Sequence, residues 1–279
     1  MLKVKLIGFM GIVLLLLSGF FTCASASYMT GGDATDQASA DDILDIVFVI
    51  DTSGSMYDDI NAIGSAAESA IQNLDCPECD VYVRASFLGI TGTYGTVFDQ
   101  TVENYVSNQG GTSDYLAYES NGVAVSEMVE WYDWNDDSTA DQDYYKAVVT
   151  IGDEGTYYGY PVTQDDYDAA YQANQDAIDE DVFLFSWVTD DPYAGVVDLF
   201  DVMATGGSAA GYVFGDTGGD LINDAAGTGD VEDYLEYIIC TAAGGGTGGG
   251  TEPVPEPSTW LLMGTGLAGL AWYRRRKSA

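Results

Sequence analysis

The 279-residue chain has no histidine. That single absence excludes Ser–His–Asp and Cys–His nucleophilic catalysis, H-E-x-x-H metalloprotease sites and His-ligated zinc. Bases are nearly as scarce: eight Lys and Arg stand against 45 Asp and Glu, for a formal net charge of −37. Six of the eight (Lys3, Lys5, Arg274, Arg275, Arg276 and Lys277) lie at the two ends. Between residues 27 and 255 only Arg84 and Lys146 remain, against every acidic residue except Glu256. So negative a body excludes nucleic acid and anionic membrane surfaces as partners. It also repels itself, so the fold is expected to tolerate or need screening by salt or bound cations; charge serving solubility alone is the alternative. No P-loop is present. A pair of carboxylates remains as a glycosidase-type option, but 45 acidic residues make chance pairs common.

The ends read as addresses. Lys3 and Lys5 precede the apolar run Leu6 to Phe21, and Ala24-Ser25-Ala26 closes it. This is the layout of a secretory signal peptide over residues 1–26, with cleavage after Ala26. Cys23 follows Phe20-Phe21-Thr22, which lacks the Leu and small residues of a lipidation site. At the other end Val254-Pro255-Glu256-Pro257-Ser258 leads into the apolar stretch Trp260 to Tyr273 and then Arg274-Arg275-Arg276-Lys277. Residues 254–279 resemble a PEP-CTERM sorting signal. The resemblance implies a Gram-negative bacterium, processing by an exosortase-type enzyme, and delivery to the cell envelope, surface or extracellular matrix. An apolar run shorter than about 20 residues is marginal for permanent spanning, so membrane contact is expected only through this short transmembrane helix. Its basic tail would stay in the cytoplasm. Gly264-x-Gly266-x-x-Gly269 matches a dinucleotide fingerprint by letters alone, with no strand before it.

Residues 27–41 read as a flexible leader and 242–253 as a Gly-rich linker. Between them strands and helices alternate. Ile46–Ile50, Val81–Ile90, Ala147–Ile151 and Val182–Val188 are apolar runs of buried-strand type. Helices are expected over 58–74, 114–132, 164–178, 193–204 and 230–240, with short strands at Val97-Phe98, taken as an antiparallel edge strand, and at Gly211–Phe214. The pattern predicts an α/β fold for residues 42–241: a doubly wound, mostly parallel sheet with helices on both faces.

The first apolar run ends on Asp51-Thr52-Ser53-Gly54-Ser55. A strand stopping there delivers Asp51, Ser53 and Ser55 to the carboxyl edge of the sheet, where open α/β sheets place ligands. Hard oxygen donors of this kind suit Mg²⁺, Mn²⁺ or Ca²⁺; alternatively the Asp and Ser simply cap the next helix. Gly110-Gly111-Thr112 follows, then Ala147–Asp153, a second apolar run ending on a carboxylate, then Thr205-Gly206-Gly207. This ordered set resembles the von Willebrand factor A (vWA) domain and its metal-ion-dependent adhesion site. The resemblance implies metal ligands Asp51, Ser53, Ser55, Thr112 and Asp153, with Mg²⁺ first and Mn²⁺ or Ca²⁺ as alternatives. Many relatives read Thr-Asp-Gly where this chain reads Gly152-Asp153-Glu154-Gly155, which sets Glu154 beside the site. The function implied is cation-dependent adhesion, by an exported non-enzymatic protein, to a protein or polysaccharide offering a carboxylate. The rival is an acidic matrix protein crosslinked to exopolysaccharide by calcium, without a discrete site.

Two further features carry expectations. Asp133, Asn135, Asp137, Asp141 and Asp143 are spaced like a calcium loop but lack the Gly and Glu of an EF-hand, so they predict either a second cation loop or a solvated acidic segment. Cys76 and Cys79 follow the first predicted helix and Cys240 ends the last. Helices of a doubly wound sheet run back from the ligand edge, so these C-termini share one side. A disulfide is expected from Cys240 to Cys76 or Cys79, with a local Cys76–Cys79 bridge as the alternative.

Overall fold

The computed structural model describes residues 28–244 except 35, 77–79, 92–97, 99, 113–115, 158, 190–191 and 225–229. The chain divides into compact units at 1–247 and 248–279, and all described residues lie in the first. The segments read as signal peptide and short transmembrane helix, most of the linker, the sorting motif, Cys79 and Val97 fall outside the described residues. Among the described residues no helix is long and apolar enough to cross a membrane.

The elements are β1 (Tyr28–Gly31), β2 (Asp42–Ile50), α1 (Tyr57–Gln72), β3 (Val81–Gly89), α2 (Val102–Asn108), α3 (Asn121–Trp131) and β4 (Asp143–Gly152). After them come α4 (Gln164–Asp179), β5 (Phe183–Val188), α5 (Val196–Thr205), β6 (Gly207–Ala209), β7 (Tyr212–Phe214), β8 (Leu221–Asn223) and α6 (Val231–Ala243). Six strands form one sheet in the order β1-β3-β2-β4-β5-β8, in which only β1 runs antiparallel. Strands β6 and β7 form a separate antiparallel hairpin. The α/β class and the mostly parallel sheet agree with the sequence pattern.

Strand β2 lies centrally and is buried on both faces, which is why it reads as an unbroken apolar run. Leu44, Ile46, Phe48 and Ile50 point to one side, onto Ile60, Ile63, Ala67 and Ile71 of α1 and Leu235, Ile238 and Ile239 of α6. Val47 and Val49 point to the other, onto Ala124, Val125 and Met128 of α3 and Ala170 and Ala173 of α4. The α1 residues recur every three or four positions, giving the stripe a helix needs to cover a sheet. Helix α3 approaches α4 so closely that a Cβ on Gly122 would lie 2.9 Å from the carbonyl carbon of Ala169. Because α1 and α6 pack together on one face, their carboxyl ends meet, and Cys76 bonds to Cys240 across 164 residues with Cα atoms 5.3 Å apart. Closing a loop that long stabilises the fold by at most ~4–5 kcal/mol through the entropy of the unfolded chain.

Three expectations need correction. The 27–41 leader is not flexible throughout: Tyr28–Gly31 pairs with β3 from Ser86 to Val83 and is the antiparallel edge. The place assigned to an edge strand at Val97-Phe98 holds no such element at Phe98, which is buried and stacks on Phe87 with ring centroids 6.4 Å apart. The helix expected over 114–132 starts only at Asn121, and α2, capped by the Thr101 hydroxyl accepting from the Asn104 N–H at 3.2 Å, precedes it. The short strand read at Gly211–Phe214 is present as β7 of the hairpin, and the sixth strand of the main sheet is β8.

Candidate cation site at the carboxyl edge

In register, Ile50 of β2 faces Ile151 of β4, so Asp51 and Asp153 leave adjacent strands at one edge. The Asp51 N–H donates to the Ile151 carbonyl at 2.9 Å, holding the two turns together. Asp51 is 0% exposed. Its Oδ1 accepts the Ser53 N–H at 2.6 Å, while its Oδ2 is buried with no hydrogen-bond partner. From there an oxygen chain runs to the neighbouring strand: the Ser53 and Ser55 hydroxyls are 2.8 Å apart, and Ser55 Oγ donates to Asp153 Oδ1 at 3.3 Å. Thr52 anchors the turn sideways, its Oγ1 donating to the Thr91 carbonyl at 3.0 Å.

Two glutamates that the sequence reading did not assign as ligands complete the cluster. Glu119 stands two residues before α3, and the Thr52 N–H donates to the carbonyl of its neighbour Tyr118 at 3.3 Å. Glu154 follows Asp153 directly, and the carboxyl groups of Glu119 and Glu154 hydrogen-bond to each other. Gly159, at φ +80°, passes against both carboxylates where any Cβ would collide with them. The turn carrying Glu154 is pinned by Asp166 in the first turn of α4, which accepts from the Tyr157 N–H at 2.9 Å and the Thr163 N–H at 2.7 Å. Asn121, the first residue of α3, accepts from Thr150 Oγ1 at 2.9 Å and leaves its Nδ2 buried without a partner, close to Gly152.

The electrostatics follow from this crowding. Burial pushes the Asp51 carboxyl well above the usual range, and the charges of Asp153 and Glu119 push it the same way, against the lowering effect of Ser53. Glu154 is pushed up to about 7 by burial, by its hydrogen bond to Glu119 and by that neighbour's charge. Burial likewise raises Glu119, with Asp153 adding to it. Carboxylates this close are comfortable only if they share protons or a cation. Among the described residues no ammonium or guanidinium forms an ion pair with Asp51, Glu119 or Glu154.

Among the contacts of the described residues, none joins Thr112 to this cluster. Gly111, just before it, lies against Val106 and the ring of Trp131, where a Cβ would be 3.1 Å from the indole. Trp131 ends α3, whereas the cluster sits at its first residue, and ten helical steps separate those ends by about 15 Å. Glu119 is instead an acidic neighbour of Asp51 and Asp153 in this cluster. Placing the helix start at 114 hid it, because a glutamate inside a helix reads as surface. The second cation loop also resolves differently: its cation is Arg84. Asp137 Oδ1 accepts from Arg84 Nη1 at 2.9 Å and the Asn135 carbonyl from Nη2 at 2.6 Å, while the Asn135 N–H donates to Asp45 Oδ2 at 3.1 Å. Asp133 and Asp141 are exposed. Among the described residues no three Asp, Glu or Cys side chains are drawn together tightly enough to grip an ion by themselves. At the carboxyl edge, then, serine oxygens would have to share the work.

Residues 253–277 match the PEP-CTERM protein-sorting motif. This is an exported bacterial protein. The motif marks it for processing by an exosortase and for the cell envelope or surface. The match lies outside the described residues and bears on destination, not on the site. No curated protein matches the chain.

Proposed function

We propose that this protein binds a divalent cation at the carboxyl edge of its sheet and uses it for adhesion outside the cell. The observation that carries the reading is Asp51 Oδ2: a carboxylate oxygen wholly buried, without a partner, beside further carboxylates and two hydroxyls. A buried unpaired carboxylate is costly enough that it neutralises or acquires a counter-ion. The donor set fits a hard cation, since Asp51, Ser53, Ser55, Asp153 and Glu119 offer oxygen alone. We take Mg²⁺ as the first choice, with Mn²⁺ and Ca²⁺ as alternatives. Reading residues 42–241 as a vWA-type domain is supported by the D-x-S-x-S turn and Asp153 leaving adjacent parallel strands, with Glu119 replacing Thr112 in the ligand set. The Gram-negative origin implied by the sorting signal belongs to the same reading.

When bound, the cation would supply a coordination position for an oxygen of the ligand. Ser53 and Ser55 orient toward Asp153 through their hydroxyls, and Asp51 holds the turn through the Ser53 N–H. We read the site as binding rather than turnover. Glu119 and Glu154 are hydrogen-bonded to each other, whereas glycoside hydrolysis needs carboxyl groups at least about 5 Å apart across a scissile bond. One observation favours the rival acidic matrix protein, namely the net charge of −37, which collects cations diffusely. Thermal unfolding of chelator-stripped protein with added Mg²⁺ separates the two. A saturable rise in Tm that Asp51→Ala abolishes is expected; an equal rise in both proteins refutes the discrete site.

A further inference from the structure

The edge that carries the acidic cluster is also rimmed with exposed tyrosine. Tyr57 opens α1 two residues after Ser55 and is 59% exposed. Tyr118, 41% exposed, precedes Glu119, and its carbonyl receives the Thr52 N–H. Tyr193, 44% exposed, donates its N–H to the Asp153 carbonyl at 3.2 Å. Tyr160, 58% exposed, follows Gly159 and stacks on Tyr193 with centroids 4.5 Å apart and planes within 24°. The four tyrosines are therefore carried by the turns of the site: Tyr57 next to the D-x-S-x-S turn, Tyr118 in the Glu119 turn, and the stacked pair Tyr160 and Tyr193 beside the Asp153 turn. Single exposed aromatics need no explanation, but four around one cluster do.

We propose that these tyrosines are a stacking platform for the sugar rings of a neutral polysaccharide, and that such a glycan is the ligand of the cation site; this rests on the cation reading above. Tyrosine faces suit the C–H faces of pyranose rings, because the negative π face attracts weakly positive C–H groups. The polar groups of the rim are complementary to a glycan. Carboxylates at Asp153, Glu119 and Glu154 are acceptors, so the ligand must bring donors, and sugar hydroxyls donate to carboxylates while their oxygens can also complete the shell of a hard cation. A uronic acid polymer fits less well, since the body of the chain repels polyanions beyond the reach of one cation. A basic peptide would be drawn by that charge, but its ammonium or guanidinium would meet the divalent cation head on. An aliphatic anchor would find no matching surface: the large exposed side chains on this rim are all tyrosines, whereas Ile178 lies against Gly215 beside the β6–β7 hairpin, of which Val213 is part.

Affinity electrophoresis of the secreted protein through gels containing hydroxyethylcellulose, dextran, starch or galactomannan tests this. Alginate, gelatin and polylysine serve as the acidic, protein and basic comparators. Retardation by at least one neutral polysaccharide is expected in Mg²⁺ and lost in chelator. The pair Tyr160→Ala and Tyr193→Ala should weaken it by about tenfold or more, as two lost ring contacts imply, while Tyr160→Phe with Tyr193→Phe keeps most of it. The Mg²⁺-induced Tm rise, measured on the same variants, should be unchanged, which shows both that the alanine pair folds and that the cation site stands without the rim. Retardation confined to alginate, gelatin or polylysine overturns the glycan proposal, as does an alanine pair that binds like wild type. Tyrosine-dependent retardation that ignores chelator overturns the shared site. Absence of any Mg²⁺ effect on wild-type Tm counts instead against the cation reading.

Discussion

Two buried aspartates bracket the central strand, and their surroundings are opposite. Asp45, near the start of β2, has both oxygens satisfied: Arg84 Nε at 2.6 Å and Nη2 at 3.1 Å, the Tyr144 hydroxyl at 2.7 Å and the Asn135 N–H at 3.1 Å. Asp51, just past the end of the same strand, has one backbone N–H on Oδ1, nothing on Oδ2, and other carboxylates for neighbours. The chain has two bases for its whole folded body. One neutralises Asp45; the other, Lys146, donates to the Glu180 carbonyl at the carboxyl end of α4, where a helix favours positive charge. No internal base is left for the far edge. The contrast teaches that Asp45 is built to hold the fold and that Asp51 takes its counter-ion from outside.

Removing the internal cation gives the largest expected effect. Arg84→Ala strands Asp45 and should destabilise the protein by about 3–5 kcal/mol, equally with and without Mg²⁺, in urea unfolding. A loss below about 1 kcal/mol would mean that Tyr144 and Asn135 suffice, and the comparison would weaken. Tyr144→Phe, which deletes one hydroxyl donor to Asp45, should cost about 1.5 kcal/mol in the same assay. At the other aspartate the sign reverses. Asp51→Asn removes an unpaired buried charge, so in chelator its Tm should rise by about 2–4 °C, what roughly 1 kcal/mol is worth in a domain of this size, while the rise on adding Mg²⁺ disappears. A fall in chelator would show that Asp51 already has an internal partner.

The smallest effect concerns pH. Glu154 titrates near 7 in the folded chain and near 4.5 unfolded, so its folded-state advantage is complete below pH 4.5 and is lost as pH rises through 7. In chelator, wild-type Tm should therefore fall across that interval more steeply than Tm of Glu154→Gln, which shares the general repulsion but not this titration. Parallel slopes would remove Glu154 from the account. Mg²⁺ should flatten the wild-type slope.

What the sequence made legible is what periodicity and burial encode. Strands β2, β4 and β5 are central and buried on both faces, so each reads as an unbroken apolar run, and α1 and α4 declare themselves by their stripes. The Cys76–Cys240 bridge was legible as one of two long-range pairings because a doubly wound sheet fixes where helices end. Three of the short elements, β1, α2 and β8, were not. Tyr28–Gly31 carries too little apolar content to stand out from a polar leader, α2 is held by one cap and two buried valines, and β8 is three residues long. In the site, Asp51, Ser53, Ser55 and Asp153 were legible because they end apolar strands. Glu119 was not, because its place depends on where α3 begins, a boundary that tertiary contact with Thr150 and Gly152 sets rather than local propensity. Asp137 looked like a calcium ligand because sequence spacing cannot show that Arg84 reaches it first.

The most direct test of the central claim is calorimetric titration of Mg²⁺ into chelator-stripped protein, wild type and Asp51→Ala side by side, in enough monovalent salt to quench diffuse binding. The account predicts one saturable site per chain in wild type and none in Asp51→Ala. Identical isotherms for the two proteins would contradict it.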